Sequence, residues 1–165
     1  MAEPLPIALV DIDGVVADVR HRVHFVEQRP KDWGRFFAEA KHDPPQAEGI
    51  AVVQRLLEDH EIVYLTGRPE HLRADTEEWL AAHGLGGHRL LMRRSDDRRP
   101  SARFKVQAAA NLAKRRHIGI VVDDDTSVIA AMKAAGYPTL LADWEVRDAA
   151  TDASLFDAQQ IEGRT

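Results

Sequence analysis

The sequence predicts an α/β fold: a parallel sheet flanked by helices, with a small helical insertion after the first strand. Two observations predict the sheet. Five short apolar runs, mostly β-branched or leucine and bounded by turn residues, read as buried strands at residues 7–10, 62–65, 90–92, 118–122 and 139–141. Helical patterns lie between them, and such alternation argues for a parallel sheet covered on both faces. A third observation predicts the insertion. Residues 15–45 break the alternation; they hold His21, Arg22, His24, Trp33, Phe36 and Phe37 and end in Asp43-Pro44-Pro45. They are expected as a helical insertion over the sheet edge.

Each element has a local reason. The first strand, in PIALV, stops at Asp11-Ile12-Asp13-Gly14. Residues 47–59 place Ile50, Val53, Leu56 and Leu57 on one helical face. The second strand runs into Thr66-Gly67-Arg68. Residues 70–83 carry Leu72, Thr76, Trp79 and Leu80 at helical spacing, and Gly84 is the expected stop. A third strand at 90–92 is followed by a helix at 102–116. The fourth strand ends in Asp123-Asp124-Asp125, and Asp125 is expected to cap the helix at 127–135. Gly136 closes that helix before the last strand.

Composition narrows the chemistry. A chain of 165 residues has the usual length of one domain and can bury a substantial core. It contains no cysteine, which excludes disulfides, thiolate-held zinc and thiol catalysis. The start, MAEPLPIALVDIDG, lacks the basic region and long apolar run of a signal peptide. No segment approaches the ~18 apolar residues of a membrane span, so a cytoplasmic protein with no membrane partner is expected. The net charge of −5 argues against a surface that attracts nucleic acid everywhere. Basic residues nevertheless cluster locally, at Arg89, Arg93, Arg94, Arg98, Arg99, Arg103 and Lys105.

In an open parallel sheet the carboxyl ends of the strands all face one side, where ligands bind. Asp11, Asp13, Thr66, Gly67, Arg68, Asp123, Asp124 and Asp125 therefore converge on one small volume. Several carboxylates so close repel one another and call for a cation. An all-oxygen set suits a hard divalent ion, and Mg2+ fits best. Lys105 would add a second positive charge. That combination suits phosphoryl transfer, in which one carboxylate attacks phosphorus and a second moves the proton. Residues i and i+2 point the same way off a strand, so Asp11 and Asp13 can share that work, and Gly14 lets the chain turn tightly. Taken singly, each cluster has a plainer reading as a loop, a turn or a helix cap; their joint placement after successive strands points to a site.

With these residues in place, the chain resembles the phosphohydrolases of the haloacid dehalogenase (HAD) superfamily, whose fold is Rossmann-like. DIDGVVAD, LTGR, the lysine of ARFKVQ and VVDDDTS follow the family's four motifs in order, from Ile7 to Asp143. The resemblance implies Asp11 as nucleophile, Asp13 as acid and base, Thr66 as phosphate ligand and Lys105 as charge stabiliser. It implies Asp124 with Asp123 at the metal; Asp11 and the backbone carbonyl of Asp13 are expected there too, because Asp13 must keep its carboxyl free for proton transfer. The chain is more narrowly similar to the 3′-phosphatase domain of phage-type polynucleotide kinase–phosphatases, through LTGRPEHLRADTEEWL, LLMRRSDDRRP and DDDTSVIAAMKAAGYPTLLAD. That likeness implies roles for Arg22, eleven residues after Asp11, and for Arg68. One departure is Ser101, which stands four residues before Lys105, where the family usually has aspartate.

The expected protein is a single phosphatase domain over residues 1–165, without a kinase half because no phosphate-binding G-x-x-x-x-G-K-[ST] loop occurs. Three functions stay open. The first is a Mg2+-dependent phosphatase acting on a DNA or RNA 3′ end, with Arg93 and Arg94 holding the preceding phosphates. The second is a phosphatase of nucleotides or other small metabolites. The third is a non-catalytic binding protein on the same fold. His21 and His24 lack a third metal partner; Trp33, Phe36 and Phe37 read as packing rather than base stacking. Ile161-Glu162-Gly163-Arg164 matches a protease-cleavage tag sequence.

Overall fold

The computed structural model describes residues 2–145. Ile161-Glu162-Gly163-Arg164 lies outside them. Five strands form one parallel sheet in the order β3-β2-β1-β4-β5: β1 (Ile7–Val10), β2 (Glu61–Pro69), β3 (Arg89–Arg93), β4 (Ile118–Asp123) and β5 (Thr139–Leu141). The chain adds β2 and β3 on one side of β1, then crosses to add β4 and β5 on the other. The order therefore reverses between β1 and β4, the place where such sheets open a binding crevice. The acids after β1 and β4 flank that point.

The side-chain alternation of β1 explains why both faces are covered. Ala8 and Val10 join a cluster with Val52, Val53, Trp79 and Leu80, from α3 (Ala47–Leu56) and α4 (Arg73–Ala82). Ile7 and Leu9 point the other way, to Phe104, Ala109, Leu112, Val128 and Met132, from α5 (Ser101–Ala113) and α6 (Thr126–Ala134). The first and last strands expected along the chain, at 7–10 and 139–141, recur with the same bounds. The expected helix at 70–83 divides into a 3₁₀ turn, Glu70–Leu72, and α4. Gly84 and Gly136 follow α4 and α6, and Asp125 caps α6 by accepting from the Ser127 amide at 2.8 Å.

Two features differ from expectation. β2 continues through Thr66-Gly67-Arg68 to Pro69, pairing with β3 across a register shift between Thr66 and Pro69. A bulge of this kind re-aims side chains at a strand end without breaking the sheet. The insertion lies over the carboxyl ends of the central strands, not over the sheet edge. It contains α1 (His24–Glu27), α2 (Trp33–Ala38) and a 3₁₀ turn, Glu39–His42. Val19, Val23, Val26, Phe36 and Phe37 give it a small core, with Trp33 packed against it. It is tied down by the Ala17–Pro45 bridge and by Trp79 Nε1, which donates to the Asp43 carbonyl at 2.9 Å.

Candidate active site

The chain leaves β1 at Val10, so Asp11 and Asp13 are presented by a turn and not by a strand. The Asp11 amide still donates to the Val122 carbonyl of β4, at 3.0 Å. Gly14 makes the turn possible. Its φ is 78°, in the left-handed region, and an added Cβ would fall 1.8 Å from Asp124 Oδ2. The turn brings both acids to one place but gives them different partners.

Asp11 is held from two sides. Its Oδ1 accepts from the Ile12 amide at 2.8 Å, and its Oδ2 lies 3.1 Å from Lys105 Nζ. Lys105 reaches in from α5 and also donates to Asp123 Oδ2 at 2.7 Å. The carboxylates of Asp11, Asp123 and Asp124 each offer an oxygen within 4.8 Å of the others. All are buried, Asp11 at 4% exposure and Lys105 at 1%. Burial, then repulsion from Asp123, raises the Asp11 carboxyl well above the usual range, against the pull of Lys105. Burial and then Asp11 raise Asp124 in the same way. Burial works against the charged form of Lys105, but Asp11 and Asp123 outweigh it and raise the ammonium. One lysine does not balance three clustered acids. Asp124 Oδ1 is buried with no hydrogen-bond partner, a costly condition that a cation would relieve. The set is all-oxygen and suits a divalent ion such as Mg2+.

Asp13 faces the opposite way electrostatically. Its Oδ1 accepts from Arg22 Nη2 at 2.9 Å and from Arg68 Nη2 at 2.6 Å and Nε at 3.0 Å. Burial would raise this carboxyl, but Arg68 and then Arg22 pull it down to about 2. Its Oδ2 is buried and bonded to nothing. Its side chain therefore stands apart from the three-acid cluster that includes Asp11, Asp123 and Asp124.

The residue that orders this second group is Asp43, which sequence reasoning placed only at the end of the insertion. Asp43 accepts from Arg22 Nε at 2.7 Å and Nη2 at 2.8 Å, and from Arg68 Nη2 at 3.1 Å. His21 Nε2 lies 2.7 Å from its Oδ1. His21 thus serves Asp43, while His24 sits in α1. Arg22 also stacks over Phe36 at 4.3 Å. An aspartate before two prolines is an available signal, since prolines exclude helix and fix the approach of the chain.

The remaining expected residues divide. Thr66 is buried and its Oγ1 accepts from the Arg68 amide at 3.1 Å. Ser101 is buried on the same helix as Lys105, and its hydroxyl has no hydrogen-bond partner. Arg93 and Arg94, expected to grip phosphates together, part company. Arg93 is buried; it donates to the Gly67 carbonyl at 3.3 Å and the Arg99 carbonyl at 2.7 Å, and lies over Phe104 at 4.9 Å. Arg94 is exposed and pairs with Asp96 at 3.1 Å. Neighbouring residues at a strand end point to opposite faces, which is why the pair splits.

Acids after β1, a lysine on the helix preceding β4 and further acids after β4 place the chain among the HAD-type phosphatases, enzymes that hydrolyse phosphoric monoesters. Residues 6–143 match the family model described as the polynucleotide kinase PNKP phosphatase domain, and the chain belongs to that family. No curated protein matches the sequence. Among solved structures, a chain in a Pnkp1/Rnl/Hen1 complex is 20% identical with a TM-score of 0.67, over 83% of this chain and 46% of that one. The present chain thus spans less than half the length of that relative. A haloacid-dehalogenase-like hydrolase from Streptococcus pneumoniae is 12% identical, TM-score 0.61, over 83% of this chain and 84% of the other. The HAD-hydrolase YfnB from Bacillus subtilis, bound to magnesium, is 10% identical, TM-score 0.55, over 84% and 89%. Among the described residues no helix is long and apolar enough to cross a membrane.

Proposed function

We propose that the protein removes the 3′-phosphate from polynucleotide ends, as a magnesium-dependent phosphomonoesterase working through a phosphoaspartate on Asp11. One observation carries the mechanism. Two carboxylates lie two residues apart, one among lysine and metal-type acids, the other gripped by arginines with a single oxygen left bare. Environments that push two acids apart in this way define separate nucleophile and proton-transfer roles.

Asp11, Asp123 and Asp124 would hold the metal, with the backbone carbonyl of Asp13. When bound, it neutralises charge on the phosphate and on the crowded acids. Lys105 favours the ionised form of Asp11, as the metal would, and positions it beside the phosphate. A carboxylate oxygen of Asp11 forms a bond to phosphorus as the bond from phosphorus to the substrate's 3′-oxygen breaks. Asp13 delivers a proton to that leaving oxygen. Its Oδ2 is the atom suited to this, because Oδ1 is already committed to Arg22 and Arg68. Asp13 then takes a proton from water, which attacks phosphorus and frees Asp11 and inorganic phosphate. Arg22 and Arg68 disfavour a protonated Asp13 until a phosphate dianion shares their charge, which ties the proton donor to an occupied site. Thr66 and its bulge supply polar groups to the phosphate.

The substrate class rests on the family and on the arginine-rich loop after β3, with Arg94, Arg98 and Arg99. A panel assay tests it. With Mg2+, phosphate release from 3′-phosphorylated oligonucleotides should exceed that from free 5′-nucleotides and sugar phosphates, and should fall steeply with salt. A preference for small metabolites with a shallow salt response would replace the polynucleotide reading. A phosphoenzyme trapped by acid quench and lost in Asp11→Asn tests the intermediate.

A further inference from the structure

The catalytic steps leave unused a cleft of about 140 Å3 beside them. Three segments meet there: Phe37 from the insertion, Gly67 to His71 after the β2 bulge, and the loop after β3 with Arg94, Asp97 and Arg98. Gly67 lies between Thr66 and Arg68, so the cleft begins where the phosphate pocket ends. Its charge is opposite to that of the catalytic centre. Arg93, Arg94 and Arg98 line it against one acid, Asp97. Most of these charges are already committed. Arg93 is fixed to two carbonyls, Arg94 turns to Asp96, and Asp97 is held by Arg99 at 2.7 Å. Arg98 differs: it is exposed, and its side chain makes no hydrogen bond or ion pair with any described residue. Across the cleft, His71 Nδ1 lies 3.1 Å from Ser95 Oγ, which orients the exposed ring and leaves Nε2 available to a ligand.

We propose that this cleft is a subsite for the phosphate on the 5′ side of the substrate's 3′-terminal nucleoside, with Arg98 as its specificity-determining contact and His71 as a second donor. The inference rests on the 3′-phosphatase reading above and names the group that separates a strand end from a simple nucleotide. A guanidinium offers paired donors that match two phosphate oxygens. Gly67 and Pro69 on one side and Phe37 on another carry no charge, and Asp97, the acid that lines the cleft, is already paired with Arg99 at 2.7 Å. Phosphate contacts of this kind set register without reading bases, so the subsite is indifferent to sequence.

Four substrates test it with the whole chain and Mg2+: an aryl phosphate, a nucleoside 3′-monophosphate, a nucleoside 3′,5′-bisphosphate and a dinucleotide with a 3′-phosphate. The wild type should favour both the bisphosphate and the dinucleotide over the 3′-monophosphate by about five- to tenfold in kcat/KM, mostly through KM. Arg98→Ala should bring that ratio to about one, and Arg98→Lys should restore part of it. On the dinucleotide, Arg98→Ala should also flatten the log–log salt slope by about 0.7. Equal use of the three 3′-phosphates by the wild type would overturn the subsite and leave the phosphatase reading intact. So would an Arg98→Ala loss equal on all four substrates. A preference for the bisphosphate alone would show a site for a terminal dianion and overturn the strand reading. Turnover of the aryl phosphate with none of the 3′-phosphates would defeat the proposed substrate class, and the subsite with it.

Discussion

Replacing Asp43 with asparagine keeps the size of the side chain and removes one charge from a buried group of four. In the native structure Asp13 and Asp43 balance Arg22 and Arg68, and none of the four side chains is more than 2% exposed. Asp43→Asn leaves two buried guanidinium groups to one carboxylate. Removing one partner of a buried pair costs about 3–5 kcal/mol, because the other charge stays desolvated. With a urea slope of about 2 kcal/mol per M, the unfolding midpoint should fall by about 1.5–2.5 M. A second effect follows at the site. Arg22 and Arg68, freed from Asp43, bear more strongly on Asp13 and hold it in its ionised form. The step that needs a proton from Asp13 should slow. An alkyl 3′-phosphate, whose leaving oxygen must be protonated, should lose far more rate than an aryl phosphate with a stable phenolate. Urea titration gives the first quantity and kcat on the two esters gives the second. An unchanged midpoint would refute the charge-balance reasoning. Equal rate losses on the two esters would refute the link from Asp43 through the arginines to Asp13.

Asp11→Asn should abolish turnover, because an amide does not form the phosphoaspartate; measured without metal it should melt above the wild type, since a buried like charge is gone. Its melting temperature should also respond less to Mg2+, where the wild type at a hundred times Kd gains about 2.7 kcal/mol. Gly14→Ala should cost about 1–2 kcal/mol from the left-handed backbone alone and lose Mg2+-dependent turnover, because the methyl group displaces Asp124; an active variant with normal stability would contradict the close approach. Arg93→Ala should destabilise by about 1–3 kcal/mol, since the Gly67 and Arg99 carbonyls lose their donor, and should lower turnover of every substrate alike. Arg94→Ala should leave the unfolding midpoint unchanged, because its pair with Asp96 is in solvent.

Much of this protein was legible as local pattern. Apolar runs at 7–10 and 139–141 are strands because β-branched and leucine side chains between turn residues suit a doubly covered sheet, whatever lies far away in sequence. Asp125 caps α6 for an equally local reason. The identity of Asp11, Lys105, Asp123 and Asp124 as one group followed from motif order, since parallel strands put all their carboxyl ends on one side. Partner choice did not follow, because it depends on directions set across long gaps in the chain. Asp13 and Arg68 are 55 residues apart, and only the β2 bulge aims the guanidinium at that carboxylate. The expectation that Asp11 and Asp13 point the same way came from strand geometry; the turn at Gly14 gives their side chains two separate sets of partners instead. Asp43 stands out in sequence only as an acid before two prolines, and its partners Arg22 and Arg68 are set by the placement of the insertion over the strand ends. Arg93 and Arg94 are equal in sequence; the end of β3 buries one and exposes the other. Sequence thus determines which residue types stand at the ends of the strands. Which carboxylate lies within about 3 Å of which cation is decided by tertiary packing, because a buried charge takes its character from its neighbours.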